Sequence, residues 1–291
     1  MSIAFANMWQ EITLVLFTTL APAATAACLI AALPLLSPRI DYDVRYSVAK
    51  SFSIPLAIAS IGLVFSATHL GNPSNALYVF AGVGRSPLSN EVFSAAVFLL
   101  CAGTFWMASF SREHHVRVVR VWYAVCVATG TLFIAAVAFA YHVETILTWY
   151  VSNVPASIVL NAAFMGPVLG LATLHASSWE PVRGRLARTL LAVASVALVL
   201  GAVNYALLGV EVLGRGNALF RVVELVPFYW AGVGAFVLMG TVALGLSVRA
   251  LACTGLRRTL TAASACAAGF FAVFVMRALF YLMHITVGVG I

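Results

Sequence analysis

The chain is short of charge: of its 291 residues only 9% are Asp, Glu, Lys or Arg, while 63% are apolar and the mean hydropathy is +1.04. So little polar surface cannot coat a water-soluble globule, which leaves a bilayer as the solvent. Segments of about ten alternating polar and apolar residues, the mark of a membrane β-barrel, are missing. Cysteine is scarce, with five at positions 28, 101, 126, 253 and 266, none in a Cys-x-x-Cys spacing and most inside apolar runs. The chain by itself is therefore expected to ligate neither an iron–sulfur cluster nor a structural zinc. Linkers, low-complexity tracts and soluble-domain stretches are also lacking, so residues 1–291 read as a single transmembrane domain. The first apolar run has no basic leader and exceeds signal-peptide length, and is expected to be a retained helix.

What is present is a series of long apolar runs, at approximately 11–36, 51–70, 91–110, 119–141, 155–176, 189–210, 226–248 and 259–286. Each has about the twenty residues that an α-helix needs to cross roughly 30 Å of hydrocarbon. The expected fold class is all-α, a polytopic bundle of eight transmembrane helices. The net charge of +7 is no nucleic-acid signal, because fifteen of the sixteen basic residues fall between the runs or at their very ends. The first, third, fifth and seventh connections hold Arg39, Arg45, Lys50, Arg112, Arg117, Arg120, Arg183, Arg185, Arg188, Arg249, Arg257 and Arg258. Only Arg85, Arg215 and Arg221 lie on the opposite side. The positive-inside rule places the twelve in the cytoplasm and both termini outside.

On this orientation Glu11, Glu91, Glu144, Glu211 and Glu224 share the outer side with His69, His142 and His284. Two motifs there are informative. The run Ala67-Thr68-His69-Leu70-Gly71-Asn72-Pro73 ends the second helix, with Gly71 as a left-handed cap and Pro73 blocking continuation. His69 then sits in the last turn, as a cation favoured by the macrodipole or as a functional base. In Gly84-Arg85-Ser86-Pro87-Leu88-Ser89-Asn90-Glu91, Ser89 is suited to cap the third helix, with Glu91 in its first turn. A carboxylate there has a structural explanation in the dipole, yet His69 and Glu91 flank one short connection at the same depth. Base and acid can meet in one pocket.

On the last helix, Arg277, Tyr281 and His284 stand at i, i+4 and i+7 along one face. An arginine inside the membrane must find a partner in the bundle interior, and Glu91 is the expected counter-ion, either for structure or for function. Trp149 and Tyr150 read as a headgroup anchor, while the role of Tyr141 is left open. Gly166-Pro167 marks a kink serving packing or a cavity. Asn161, Asn204 and Tyr205 read as interhelical hydrogen-bonding groups.

A His, a carboxylate, an Arg and a Tyr in an apolar pocket open to lipid suit a lipid-soluble quinol, whose oxidation releases two protons and two electrons. With no evident metal to take the electrons, a redox partner is implied. Other readings remain: a b-type cytochrome quinol dehydrogenase subunit using His69, His142 and His284, a secondary transporter built on the kink and Arg277, or a passive anchor.

The motifs His69-Leu70-Gly71-Asn72-Pro73, Leu88-Ser89-Asn90-Glu91, Thr148-Trp149-Tyr150, Gly166-Pro167-Val168-Leu169-Gly170 and Phe280-Tyr281-Leu282-Met283-His284-Ile285-Thr286-Val287-Gly288 occur in an order that resembles the membrane-anchor subunit of bacterial dimethyl sulfoxide reductases. The resemblance runs from the first helix to the last. It implies a haem-free anchor in the bacterial cytoplasmic (inner) membrane with periplasmic termini, oxidising menaquinol in anaerobic respiration. Electrons would pass to an iron–sulfur subunit that serves a molybdopterin catalytic subunit. By that resemblance His69 and Glu91 are the catalytic candidates. The quinol-binding set is expected to comprise His69, Gly71, Pro73, Arg85, Ser89, Glu91, Tyr141, Arg277, Tyr281 and His284, with no metal site, no haem, and membrane lipid but no nucleic acid as a further partner.

Overall fold

The computed structural model describes residues 11–68, 73–177, 179, 184–217 and 221–285. Among these residues eight helices are long and apolar enough to cross a membrane, and no β-strand is present. They are α1 (Ile12–Ala31), α2 (Tyr42–Thr68), α3 (Pro87–Ala108), α4 (Val116–Ala140), α5 (Asn153–Ala176), α6 (Arg185–Val212), α7 (Tyr229–Ala252) and α8 (Gly255–Leu282). Two 3-10 segments, Leu33–Leu36 and Pro73–Gly82, and a single helical turn, Val222–Leu225, occupy connections.

Several helices outrun the apolar segments that announce them. α2 begins nine residues ahead of its apolar run and takes in Arg45 and Lys50, and α6 starts at Arg185. At 1.5 Å per residue the 28 residues of α6 extend about 42 Å, more than the ~30 Å hydrocarbon core. The apolar run marks the crossing of the core, and the helix continues beyond it into the headgroup layer. Arginines also bond carbonyls at helix ends and in the connections that follow them, which have no intrahelical partner. Arg45 is 3% exposed and donates to the carbonyls of Ser111, Arg112 and Glu113 beyond α3, while Arg258 donates to His175 at the end of α5.

Packing divides the spans into two rings of four. α1 and α3 each touch α2 and α4; α5 and α7 each touch α6 and α8. The rings join mainly through their first helices, α1 against α5, with α8 also against α1. Small residues allow this approach, as association in lipid depends on close packing rather than on expulsion of water. A Cβ added at Gly166 of α5 would strike Cβ of Ala26 on α1, and one at Gly62 of α2 would strike Ala21. The Gly166-Pro167 step therefore serves packing. On the outer helix α6, Val196, Val199, Val203, Leu207 and Val210 are exposed to lipid, while Ala194, Leu198, Gly201, Tyr205 and Leu208 turn inward.

Polar groups lock the helices together. Asn161 of α5 donates to the Tyr205 hydroxyl at 2.8 Å, and between α5 and α6 Asn153 Nδ2 donates to Asn204 Oδ1 while Asn204 Nδ2 donates to the Asn153 backbone carbonyl, each at 3.0 Å. At the end holding Ile12 and Leu282, the α4–α5 connection is laced to the tail of α8. Leu147 N–H donates to the Ile285 carbonyl at 3.0 Å and the Thr148 hydroxyl to that of Met283 at 2.7 Å.

Candidate functional site

The site lies at that same end, within the first ring. α3 starts two residues before the expected cap, because Pro87 supplies a preset φ at the first helical position and Ser86, not Ser89, is the N-cap, accepting from the Ser89 N–H. Glu91 thus falls in the second turn and points into the bundle. Ahead of α3 the chain reverses at Gly84, whose φ of +82° suits glycine and whose N–H donates to the Asn90 side chain at 2.7 Å. This reversal folds the 3-10 segment Pro73–Gly82 back over α3, with Gly82 against Ser89 and Phe80 edge-on to Phe93 at 6.4 Å.

Beneath the segment is a cavity of about 370 Å³, within the ~300–1,000 Å³ of small-molecule sites. Leu14 of α1, Leu63, Ser66 and Ala67 of α2, Leu77, Val79 and Phe80 of the 3-10 segment, Leu88, Val92 and Ala96 of α3 and Ala140 of α4 form walls that are almost wholly apolar. Two ionisable side chains, Glu91 and Tyr141, interrupt them among the described residues. Glu91 is fully buried, and neither carboxylate oxygen has a hydrogen-bond partner. Leaving a buried polar group unpaired is costly, and more so in lipid than in water. A group kept in this condition is available to a ligand.

Tyr141 closes α4 and divides the cavity from what lies behind it. Its ring meets Trp149, Phe280 and Tyr281 at centroid distances of 5.9, 6.1 and 5.9 Å. Arg277 stands on the far side, 1% exposed, with its Cζ 4.2 Å from the Phe280 centroid, 5.4 Å from Tyr281 and 5.5 Å from Tyr141. Its Nε–H donates to the Thr18 hydroxyl of α1 at 2.9 Å, and Nη2 has no hydrogen-bond partner. Glu91, the expected counter-ion, makes no hydrogen bond to Arg277, whose guanidinium is held against aromatic faces instead. The Tyr281 side chain is buried beside them.

The remaining sequence-derived candidates are dispersed. His69 and Gly71 lie outside the described residues, and Pro73 opens the 3-10 segment. Ser89 is buried under Gly82, outside the cavity lining, and Arg85 is exposed beside the Gly84 turn. His284 follows α8 and rests on Trp149 at 5.1 Å; burial lowers its pKa from the usual 6.5, with Glu11 opposing. Trp149 is no headgroup anchor: it is 9% exposed and stacks on Phe280 at 4.6 Å. Tyr150 is 48% exposed and stacked on His142. Residue types gave no hint of Thr18 or of the apolar walls, since any of eight helices could have supplied them.

A second cavity, about 260 Å³, lies at the opposite end between Leu35, Arg45, Phe105, Val118 and Trp122. Its charged groups mostly have partners within the protein: Arg45 Nη2 on the Ser111 carbonyl, His114 on the Ser37 carbonyl and His115 within 3.9 Å of Glu113.

Residues 5–287 match the family model described as DMSO reductase anchor subunit (DmsC). Over 239 residues the protein is 26% identical to the C chain of anaerobic dimethyl sulfoxide reductase from Escherichia coli (strain K12), covering 82% of both. It is 26% identical over 290 residues to the YnfH chain of anaerobic dimethyl sulfoxide reductase from the same strain, covering 98% of this protein and 99% of the relative. The C chain from Haemophilus influenzae (strain ATCC 51907 / DSM 11121 / KW20 / Rd) is 34% identical over 115 residues, a match spanning 40% of this protein and 41% of that relative. With nearly its whole length matched to one model and eight membrane helices in the structure, the chain belongs to the DMSO reductase anchor subunit family.

Proposed function

We propose that this multi-pass membrane protein anchors a DMSO reductase-type molybdoenzyme in the bacterial inner membrane and oxidises menaquinol in the cavity beneath residues 73–82. Its termini would be periplasmic, and its partners an iron–sulfur subunit and a molybdopterin catalytic subunit. One observation carries the reading: the Glu91 carboxylate, buried and unpaired, opens with Tyr141 into an otherwise apolar cavity.

A quinol has two ring hydroxyls and a long apolar tail. The apolar walls suit the ring faces and the start of the tail, and Glu91 offers a base to one hydroxyl. His69, at the end of α2 by sequence, is assigned to the other hydroxyl. Oxidation delivers two protons to these bases and two electrons to the iron–sulfur partner, leaving the quinone. Tyr141, as a hydroxyl donor on the cavity wall, orients a ring oxygen. Arg277 and Tyr281 back the site electrostatically from behind Tyr141, and His284 belongs to the supporting end of α8.

The test uses the assembled complex. Glu91→Gln keeps the shape and removes the base, so quinol-dependent DMSO reduction is expected to fall about 100-fold or more, the usual scale of general-base catalysis. Reduction driven by a soluble artificial donor that bypasses the membrane subunit should be unchanged, and His69→Ala should behave alike. Full quinol-dependent activity in Glu91→Gln would overturn the assignment.

A further inference from the structure

A buried arginine and a buried carboxylate within electrostatic reach ordinarily close into a hydrogen-bonded pair, because each otherwise leaves its charge uncompensated in a medium of low dielectric. Here they do not. Both Glu91 oxygens and Arg277 Nη2 are without hydrogen-bond partners, although both side chains are at most 1% exposed. What holds the guanidinium elsewhere is visible. Its plane rests on Phe280, its flanks meet Tyr141 and Tyr281, and its Nε–H is bonded to Thr18 Oγ1.

Thr18 is itself fixed. Its hydroxyl donates to the Leu14 carbonyl at 2.8 Å, one turn back along α1, so its oxygen presents a lone pair to Arg277. The rings supply attraction without direction, whereas the hydroxyl fixes where the Nε edge points. We infer that Thr18 is a positioning residue, whose hydroxyl holds Arg277 beside Glu91 but off it, so that the carboxylate stays open to a substrate proton. This inference rests on the reading of Glu91 as the base.

The consequence is chemical. Arg277 at a distance favours the ionised carboxylate, as a base requires, whereas Arg277 in contact would occupy the oxygens that must receive the proton and weaken them as acceptors. The ionisable groups facing Glu91 from the packed elements are Tyr141 at the end of α4 and Arg277 and Tyr281 of α8. The faces of α1, α2 and the 3-10 segment contribute Leu14, Ser66, Ala67 and Phe80 and bring no charge among the described residues. His69, the second base of the proposed site, is retained in each variant compared, so its own titration is common to all the profiles.

The experiment measures kcat/KM for quinol against pH in the assembled complex, for the wild type, Thr18→Val and Thr18→Ser, with artificial-donor activity reporting assembly. Valine keeps the volume and removes the hydroxyl, so Arg277 loses its tether and, on this inference, is free to turn onto the open Glu91 carboxylate. A carboxylate in contact with a cation stays ionised to lower pH, so the acidic limb should move down by about one pH unit or more, and the plateau should fall about tenfold. Thr18→Ser, which restores the acceptor, should return the wild-type profile. A Thr18→Val profile that is lowered evenly with its acidic limb in place would overturn the inference and leave the proposed function standing. Full activity in Glu91→Gln would instead remove both.

Discussion

At the scale of single residues, the cavity end of this bundle holds buried ionisable groups with polar atoms left unpaired, Glu91 and Arg277. His284, at the same end, titrates in an accessible range. Burial favours its neutral form and depresses its affinity for protons below the usual 6.5, while Glu11 pulls the other way without reversing the sign. The unfolded chain therefore binds this proton more readily than the folded one, and stability rises with pH across the interval below 6.5. The contribution is fully present near pH 7 and is lost on acidification. Thermal unfolding in detergent at pH 7 and pH 5 should show a fall in Tm for the wild type that is smaller in His284→Gln. An identical fall would place the acid sensitivity elsewhere. Much of this chemistry was legible in the sequence. Glu91, Arg277 and Tyr281 announce themselves because ionisable and phenolic groups in apolar runs need a reason. Their geometry was not legible, since the spacing of Arg277 and Phe280 along one helix does not say whether a charge will choose a ring or a carboxylate. Thr18 was hidden altogether, one hydroxyl among several threonines that otherwise bond their own helix.

At the scale of elements, hydropathy found all eight spans and misjudged their ends, because it detects the hydrocarbon core rather than the helix. The 3-10 segment that roofs the cavity left no trace, for ten residues of mixed polarity between two spans read as a loop until Gly84 and Pro87 are placed. Gly166 shows the opposite case, where a motif has a structural cause that can be measured. A Cβ there would lie 2.5 Å from Cβ of Ala26, an atom fixed to the backbone of α1, so only a shift of α1 against α5 can relieve it. Since these helices join the two rings, Gly166→Val should cost about 3 kcal/mol, the upper range of overpacking. Gly245→Ala on α7 meets nothing within 4 Å and should leave stability unchanged or slightly improved. Unfolding in detergent measures both, and equal effects would refute the assignment of α1 against α5 as the critical seam.

At the scale of the whole molecule, the two rings divide the labour. The first encloses the cavity, and the second sends α8 across to place Arg277 behind it, so neither ring makes the site alone. The cavity lies at one end of the bundle, and the side of the membrane that this end faces decides the energetics. The positive-inside rule, with twelve basic residues against three, predicts that it faces outward, and on the proposed function protons from the quinol would then be released there without crossing the bilayer. If the iron–sulfur partner docks on the same side, electrons do not cross either, and turnover builds no membrane potential. The orientation can be read directly. Val83, at the cavity end, and Ser37, at the other, are both exposed and lie in opposite connections. Cys253, half-buried at the end of α7 on the Ser37 side, is first replaced by serine to clear the background. On intact cells a membrane-impermeant maleimide should then label Val83→Cys within minutes and leave Ser37→Cys untouched until the membrane is opened. The reverse pattern would turn the bundle over and place proton release in the cytoplasm.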